Sequence, residues 1–357
     1  MKSSEPAQRE KALVYNEWGD PARELTVKKL HLAVYFLIAL LVGAALPARA
    51  DSKKDNPNDI GNRKVAGWSI ISEQKEIAIG KQYADQIDHS VKLIKDPVVD
   101  EYVNRLGQNL ARNSDVKIPI SVKVIDDPTI NAMTLPGGFI YVNSGTILAA
   151  DNEAELAGVI AHEIGHVAER SWASEMTKRT LLQFAMLPLM FTPLSLGAYY
   201  GIGAAMNGIP IAFLKFDRSQ ESGADFLGIQ YMWKSGYDPN QYIAFFGKVL
   251  NEERQSPGSV ASIFENHPPT PDRIIKCEEE IKGILPKRSE YLISTSEFIN
   301  MKSRMETLLT VHRKNNNQNS PTLERRQPQP GTAGAPPSSS PQGQDTGDKP
   351  PVLKRTN

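Results

Sequence analysis

Cysteine is nearly absent: Cys277 is the only one in 357 residues. It can form no internal disulfide and no thiolate cluster, so any metal must be held by His, Asp or Glu. An excess of either charge is also missing. The 41 basic side chains balance 41 acidic ones, and without a basic field to gather phosphates the chain is not a nucleic-acid binder. Long unbroken apolar runs are lacking as well. Residues 32–46 make an uncharged run of 15, short of the roughly 18–20 that a spanning helix needs. The stretch 180–214 has no charge over 35 residues, but Pro188, Pro193 and Pro210 cut it into short pieces. No internal repeat is found, and too little chain follows residue 290 for a helical-repeat array. What is present excludes a wholly disordered protein, since 40% of the residues are hydrophobic.

The two ends read differently from the middle. Lys28-Lys29, the run 32–46 and Ala48-Arg49-Ala50 are the basic, apolar and cleavage-site parts of a secretory signal peptide. Residues 1–50 are therefore expected to be a signal region cut after Ala50, with the true start near Val27. The chain is then exported, to a bacterial periplasm, with an uncleaved membrane anchor as the alternative. After a linker, 51–68, one folded domain is expected over 69–315. Residues 316–357, rich in Pro, Ser and Gln, bury too little apolar surface to offset chain entropy and read as a disordered tail.

Within the domain, Ser72 followed by Glu73 and Glu76 opens an amphipathic helix, and Asp96-Pro97 opens another with Val99, Tyr102, Val103, Leu106 and Leu110 at helical spacing. Residues 122–125 and 139–142 read as strands. Asn152 begins a third helix, with Glu155 three residues on in a capping-box arrangement. That helix carries His162-Glu163-Ile164-Gly165-His166. Histidines four apart lie about 6 Å apart along a helix and about 40° around it, so both rings can reach one ion. Glu163 projects from an adjoining face and can serve as a base without ligating.

A catalytic zinc takes three protein ligands and keeps one position open. One known spacing would put the third ligand at 172 and another at 185, where Trp172 and Ala185 stand. The next credible carboxylate is Glu221, on a helix, with Asp225 one turn later on the same face. Asp225 can accept from the free N–H of a metal-bound histidine and fix its tautomer. Tyr199, Tyr200 and Tyr237 are candidate oxyanion donors among which the sequence does not choose. The stretch 180–214 reads as two short helices walling the site, with peripheral membrane contact as a further reading.

The run 131–145, the helix 152–170, Glu221-Ser222-Gly223-Ala224-Asp225 and the later His267-Pro268 with Arg273 together resemble metallopeptidase family 48, over about residues 70–280. The likeness is nearest to the soluble, exported branch, here without a tetratricopeptide array. It implies a mainly helical α+β fold with a thermolysin-like (gluzincin) zinc peptidase domain, and a small sheet whose edge strand precedes the HExxH helix. It also implies one zinc ion per chain on His162, His166 and Glu221, Glu163 as general base, and Asp225 behind a histidine. His267 is either an oxyanion donor or a fourth ligand that blocks the site. Asn131, Ala132, Phe139 and Tyr141 are expected to bind substrate, the strand 139–143 offering its edge to an extended polypeptide. The expected activity is zinc-dependent hydrolysis of peptide bonds in misfolded or misassembled envelope proteins. The rival is a zinc-containing chaperone that grips clients with little proteolysis, though a pure binder has no need of Glu163.

Overall fold

A computed structural model of the protein describes residue 29 and residues 56–186, 216–255, 267 and 270–318. The expected signal region apart from residue 29, the tail beyond 318, and the part of 180–214 after residue 186 lie outside the described residues. So do the two short helices expected there. The chain divides into two units, Met1–His312 and Arg313–Asn357.

Side-chain caps start the helices where the sequence places them. Ser72 accepts from Lys75 N at the head of α1 (Glu73–Ser90). Asp96 accepts from Val98 N and Val99 N at the head of α2 (Pro97–Arg112), where Pro97 sits at a position whose N–H would have no partner in the helix. The apolar stripe of α2, from Val99 to Leu110, is buried. It lies along β1 (Ser121–Ile125), and Asn104 fastens the two by accepting from Val122 N (3.0 Å) and donating to Val122 O (2.8 Å).

Two further strands, β2 (Ala132–Leu135) and β3 (Phe139–Asn143), complete a sheet of order β1-β3-β2. Strand β3 pairs in parallel with β1 (Ser121 opposite Phe139) and antiparallel with β2 (Ala132 opposite Val142). This corrects the expected edge strand: β3 is central, hydrogen-bonded on both sides, and the edges are β1 and β2. The cause is the turn at 136–138, where Gly137 and Gly138 take φ of +75° and +89° and fold 132–135 back onto 139–143.

The chain then forms α3 (Ser144–Ala149) and α4 (Glu153–Glu169), the latter buried at every position from Glu153 to Ala168. Asn152 accepts from Glu155 N (3.0 Å), but Glu155 reaches past Asn152 to Asp151 N (2.8 Å), so only half of the capping box forms. Helices α5 (Ser171–Met186), α6 (Arg218–Ser235), α7 (Asn240–Gln255), α8 (Pro271–Gly283) and α9 (Ser296–Gln318) follow. The fold is α+β and mainly helical, as expected.

Helix α4 packs against α6, α2, α7 and β2. Its fully buried Leu156, Ile160 and Ile164 are each worth about 1.5–3 kcal/mol of burial. Two glycines let α4 and α6 approach closely. A Cβ on Gly165 would meet Ala224 O at 2.7 Å, and one on Gly228 would meet His162 N at 3.0 Å. That closeness brings residues of the two helices within reach of one ion.

Candidate active site

His162 and His166 stand one turn apart on α4, with their Nε2 atoms 3.2 Å from each other. Glu221 and Asp225 occupy the first two turns of α6, near its positive end, where carboxylates are favoured. His267, just before α8, closes the group. Its Nδ1 lies 2.7 Å from Glu221 Oε1, 3.2 Å from His166 Nε2 and 3.5 Å from His162 Nε2. One ligand atom from each of His162, His166, Glu221 and His267 lies within 4.8 Å of all the others, and all four residues are buried.

The partners on the far side of each ring decide what the near side can do. His162 Nδ1 lies 3.0 Å from Asp225 Oδ1 and 2.9 Å from the Tyr242 hydroxyl, which donates its own proton to Asp225 (2.5 Å). Nδ1 therefore carries the ring proton, and Nε2 turns a bare lone pair inward. His166 Nδ1 is 3.1 Å from Ser171 Oγ, a hydroxyl that can accept in the same way. Burial pushes the pKa of His166 down to about 4, although Glu221 works the other way, so the ring is neutral. Glu221 Oε2 is a buried acceptor that receives no hydrogen bond, although Arg273 Nη1 stands 3.0 Å from it as an ion-pair partner and His162 Nε2 3.6 Å away. Such converging acceptors fit a cation. Imidazole nitrogens with one carboxylate are the donor set of catalytic zinc.

Burial opposes the charge on Glu221, but His267 and His166 outweigh it and hold the carboxyl well below its usual range. The same burial works against a charged His267, and there Glu221 and Glu163 prevail and raise the pKa. Asp225 is held low despite burial by Arg273, which donates to both its oxygens from Nη2 (2.6 Å) and Nε (2.7 Å).

Glu163 points to the same space from the adjoining face of α4. Thr134 Oγ1, on β2, donates to its Oε2 (2.7 Å), and its Oε1 is 4.0 Å from His267 Nε2. Phe216 stacks on His166 with ring centroids 4.3 Å apart and forms one wall.

The structure thus brings together His162, Glu163, His166, Glu221, Asp225 and His267. It takes Phe139 and Tyr141 elsewhere: both lie on the sheet face packed with Ala84, and Tyr141 donates to Asp88 Oδ1 (2.8 Å) on α1. Asn131 and Ala132 stand at the start of edge strand β2. Tyr237 donates to Glu153 Oε1 (2.7 Å), away from the site, and Tyr199 and Tyr200 lie outside the described residues. Sequence reasoning missed Thr134, Ser171, Phe216 and Tyr242. For Tyr242 nothing in the sequence signalled the role, since it lies 80 residues from its partner His162.

Similarity to known proteins agrees with this geometry. The model of peptidase family M48 matches residues 97–281, more than half of the chain. The putative beta-barrel assembly-enhancing protease of Vibrio cholerae is 33% identical over 258 residues, 70% of this chain and 52% of that protein. The beta-barrel assembly-enhancing protease of Escherichia coli K12 is 30% identical over 268 residues, 72% of this chain and 53% of that protein. The mitochondrial metalloendopeptidase OMA1 of Schizosaccharomyces pombe is 29% identical over 188 residues, 52% of this chain and 54% of that protein. The chain spans about half the length of these relatives. Peptidases of this family use zinc, which suits the four-residue donor set. With the family's model running from α2 through α8 and so across every one of the gathered side chains, the chain belongs to peptidase family M48.

Proposed function

We propose that the chain is an exported zinc-dependent endopeptidase that hydrolyses peptide bonds in misfolded or misassembled cell-envelope proteins. His162, His166 and Glu221 hold the metal, Asp225 orients His162, and Glu163 is the general base. The observation that carries this reading is the position of Glu163. A carboxylate held by Thr134 has no part among the ligands, yet faces the same buried space as the donor set. A zinc ion held by His162, His166 and Glu221 would supply Lewis acidity for a peptide carbonyl and for water. Glu163 takes the proton of the attacking water and returns it to the leaving amine. His267, in the arrangement described, stands with the metal donors, and its withdrawal opens the position that substrate needs.

The substrate edge moves from β3 to β2. Among the described residues Ala132–Leu135 has a strand partner on one side only, so its outer edge can pair with an extended polypeptide through the backbone. Thr134 lies in this strand and links it to Glu163. Such pairing selects unfolded segments, because it reads conformation before sequence. Two of the relatives are named for β-barrel assembly, and misassembled envelope β-barrels are the proposed substrates. Residues 1–50 act as the signal for export to the periplasm, and the peptidase domain reaches beyond the expected 69–315: Ile60, Arg63 and Val65 of the expected linker are buried in it, and α9 runs on through 316–318, so the proposed tail starts after that helix. No helix among the described residues is long and apolar enough to cross a membrane. Leu182 and Phe184, 58% and 62% exposed at the described start of 180–214, support peripheral membrane contact there.

The test is casein digestion with a parallel zinc assay. The parent protein is expected to digest casein and to stop when a chelator is added. Glu163→Gln is expected to keep its zinc and to digest about 10²–10⁴-fold more slowly, the usual cost of a lost general base. Digestion indifferent to the chelator, or a variant that loses its zinc, overturns the assignment.

A further inference from the structure

Arg273 touches three groups around the donor set with one guanidinium. Nε and Nη2 form a fork on Asp225, at 2.7 and 2.6 Å, and Asp225 in turn orients His162. Nη1 has two further neighbours: it donates to the backbone carbonyl of His267 (3.2 Å) and stands 3.0 Å from Glu221 Oε2. The guanidinium carbon also lies 5.1 Å over the Phe246 ring, and the residue is 6% exposed. Arg273 itself is well anchored, in the first turn of α8, where the Thr270 side chain accepts from its backbone N–H and α8 packs on α6 and α7.

His267 is held quite differently. Its ring faces His162, His166, Glu221 and Phe216, but among the described residues the one hydrogen bond to its backbone comes from Arg273. Only five residues separate the two in sequence.

We propose that Arg273 is a positioning residue that seats His267 among the metal donors through the hold of its fork on the His267 carbonyl. This rests on the reading of His162, His166 and Glu221 as the zinc ligands. The rival explanation is that Arg273 only neutralises Asp225 and Glu221. Charge alone survives replacement by lysine. The simultaneous hold on Asp225 and the His267 carbonyl does not, because an ammonium is a single point donor without the fork.

The experiment loads the full chain with cobalt in place of zinc and reads the visible absorption band, which reports the number and kind of ligands, together with the rate at which zinc passes to a chelator. His267→Ala is expected to shift the cobalt band and to speed zinc loss by about tenfold or more, the lower end of what removal of a ligand's support produces. Arg273→Lys is expected to reproduce that shift, and the double variant to go no further than His267→Ala alone. A second test serves if Arg273→Lys fails to fold: Arg273→Ala is expected to show the same shift, and added free guanidinium, but not methylammonium, to restore the parent band. A parent-like spectrum in Arg273→Lys, or restoration of Arg273→Ala by methylammonium as well as by guanidinium, overturns the proposal, as do shifts that add in the double variant. So does a parent-like spectrum in His267→Ala, since His267 would then not be a ligand. A parent protein that takes up neither cobalt nor zinc overturns instead the zinc-site reading on which the proposal stands.

Discussion

Helix α6 takes part in two buried polar clusters, and they are satisfied in opposite ways. At its C-terminal half, Gln230 and Tyr231 join Arg63 and Asp115. Asp115 Oδ1 accepts from Gly61 N (2.8 Å) and Arg63 N (3.4 Å), and its Oδ2 from Arg63 Nη2 (2.6 Å), Arg63 Nε (3.1 Å) and the Tyr231 hydroxyl (3.0 Å), while Arg63 Nη1 donates to Gln230. Donors there meet acceptors, and the charges cancel within the cluster. At the N-terminal half, Glu221 faces imidazole nitrogens, one of them a bare acceptor, and one of its oxygens receives no hydrogen bond. Equal burial therefore does not mean equal purpose. The first cluster is complete with protein atoms and ties the segment before α1 to α6, whereas the second gathers four side chains whose ligand atoms could share a metal ion.

The largest effect should come from breaking the self-sufficient cluster. Asp115→Ala leaves the Arg63 guanidinium buried without its carboxylate, and loss of one partner of a buried pair costs about 3–5 kcal/mol. For a domain of this size that lowers the melting temperature by roughly 10 °C. The loss should be the same with and without chelator, as followed by thermal unfolding. Glu221→Ala should behave in the reverse manner. A ligand at about a thousandfold excess over its Kd stabilises by about 4.1 kcal/mol, so the parent should melt higher with zinc than with chelator, and this variant should show no such gap. A zinc-dependent gap that persists in Glu221→Ala would mean that the two clusters do not differ as described.

How much of this contrast is legible in the sequence depends on distance along the chain. The HExxH pair reads directly because helical spacing puts both histidines on one face, and Glu221 with Asp225 reads once a third ligand on a later helix is required. Single helices were legible for the same reason, from caps and apolar spacing, and the fold class from the family resemblance. Strand order was not: alternation in 139–142 indicates which side chains face the core, but not which strands lie beside it, so β3 was misplaced at the edge. Thr134 and Tyr242 reach Glu163 and His162 across 29 and 80 residues, where no local spacing can point. The Arg63–Asp115 pair, 52 residues apart, is hidden in the same way.

A smaller effect should follow from loosening the support of one ligand. Asp225→Asn keeps the shape of the residue but weakens its hold on His162 Nδ1 and its pairing with Arg273. Zinc affinity is expected to fall by about 10–100-fold, as for other partners behind metal-bound histidines. Chelator competition measures it. An unchanged affinity would show that Tyr242 alone fixes the His162 tautomer, and the importance of the Arg273 fork for the metal would shrink accordingly.

The smallest effect should be kinetic. Thr134→Val is nearly isosteric and removes only the hydroxyl that donates to Glu163 Oε2. Thr134 is part-buried on an edge strand, so the fold loses little, and the ligands are untouched. Glu163 loses the contact that directs its carboxylate, and a hydrogen bond to a charged group has a net worth of about 1.5 kcal/mol at the low end, equivalent to roughly a tenfold change in rate. The expected outcome is a fall in kcat of that order on a peptide substrate, with zinc content and melting temperature as in the parent. In the satisfied cluster a lost bond appears as lost stability, whereas here it should appear as lost rate. If Thr134→Val instead lowers the melting temperature and leaves kcat alone, Thr134 belongs with Asp115 among the structural contacts, and Glu163 is oriented by something else.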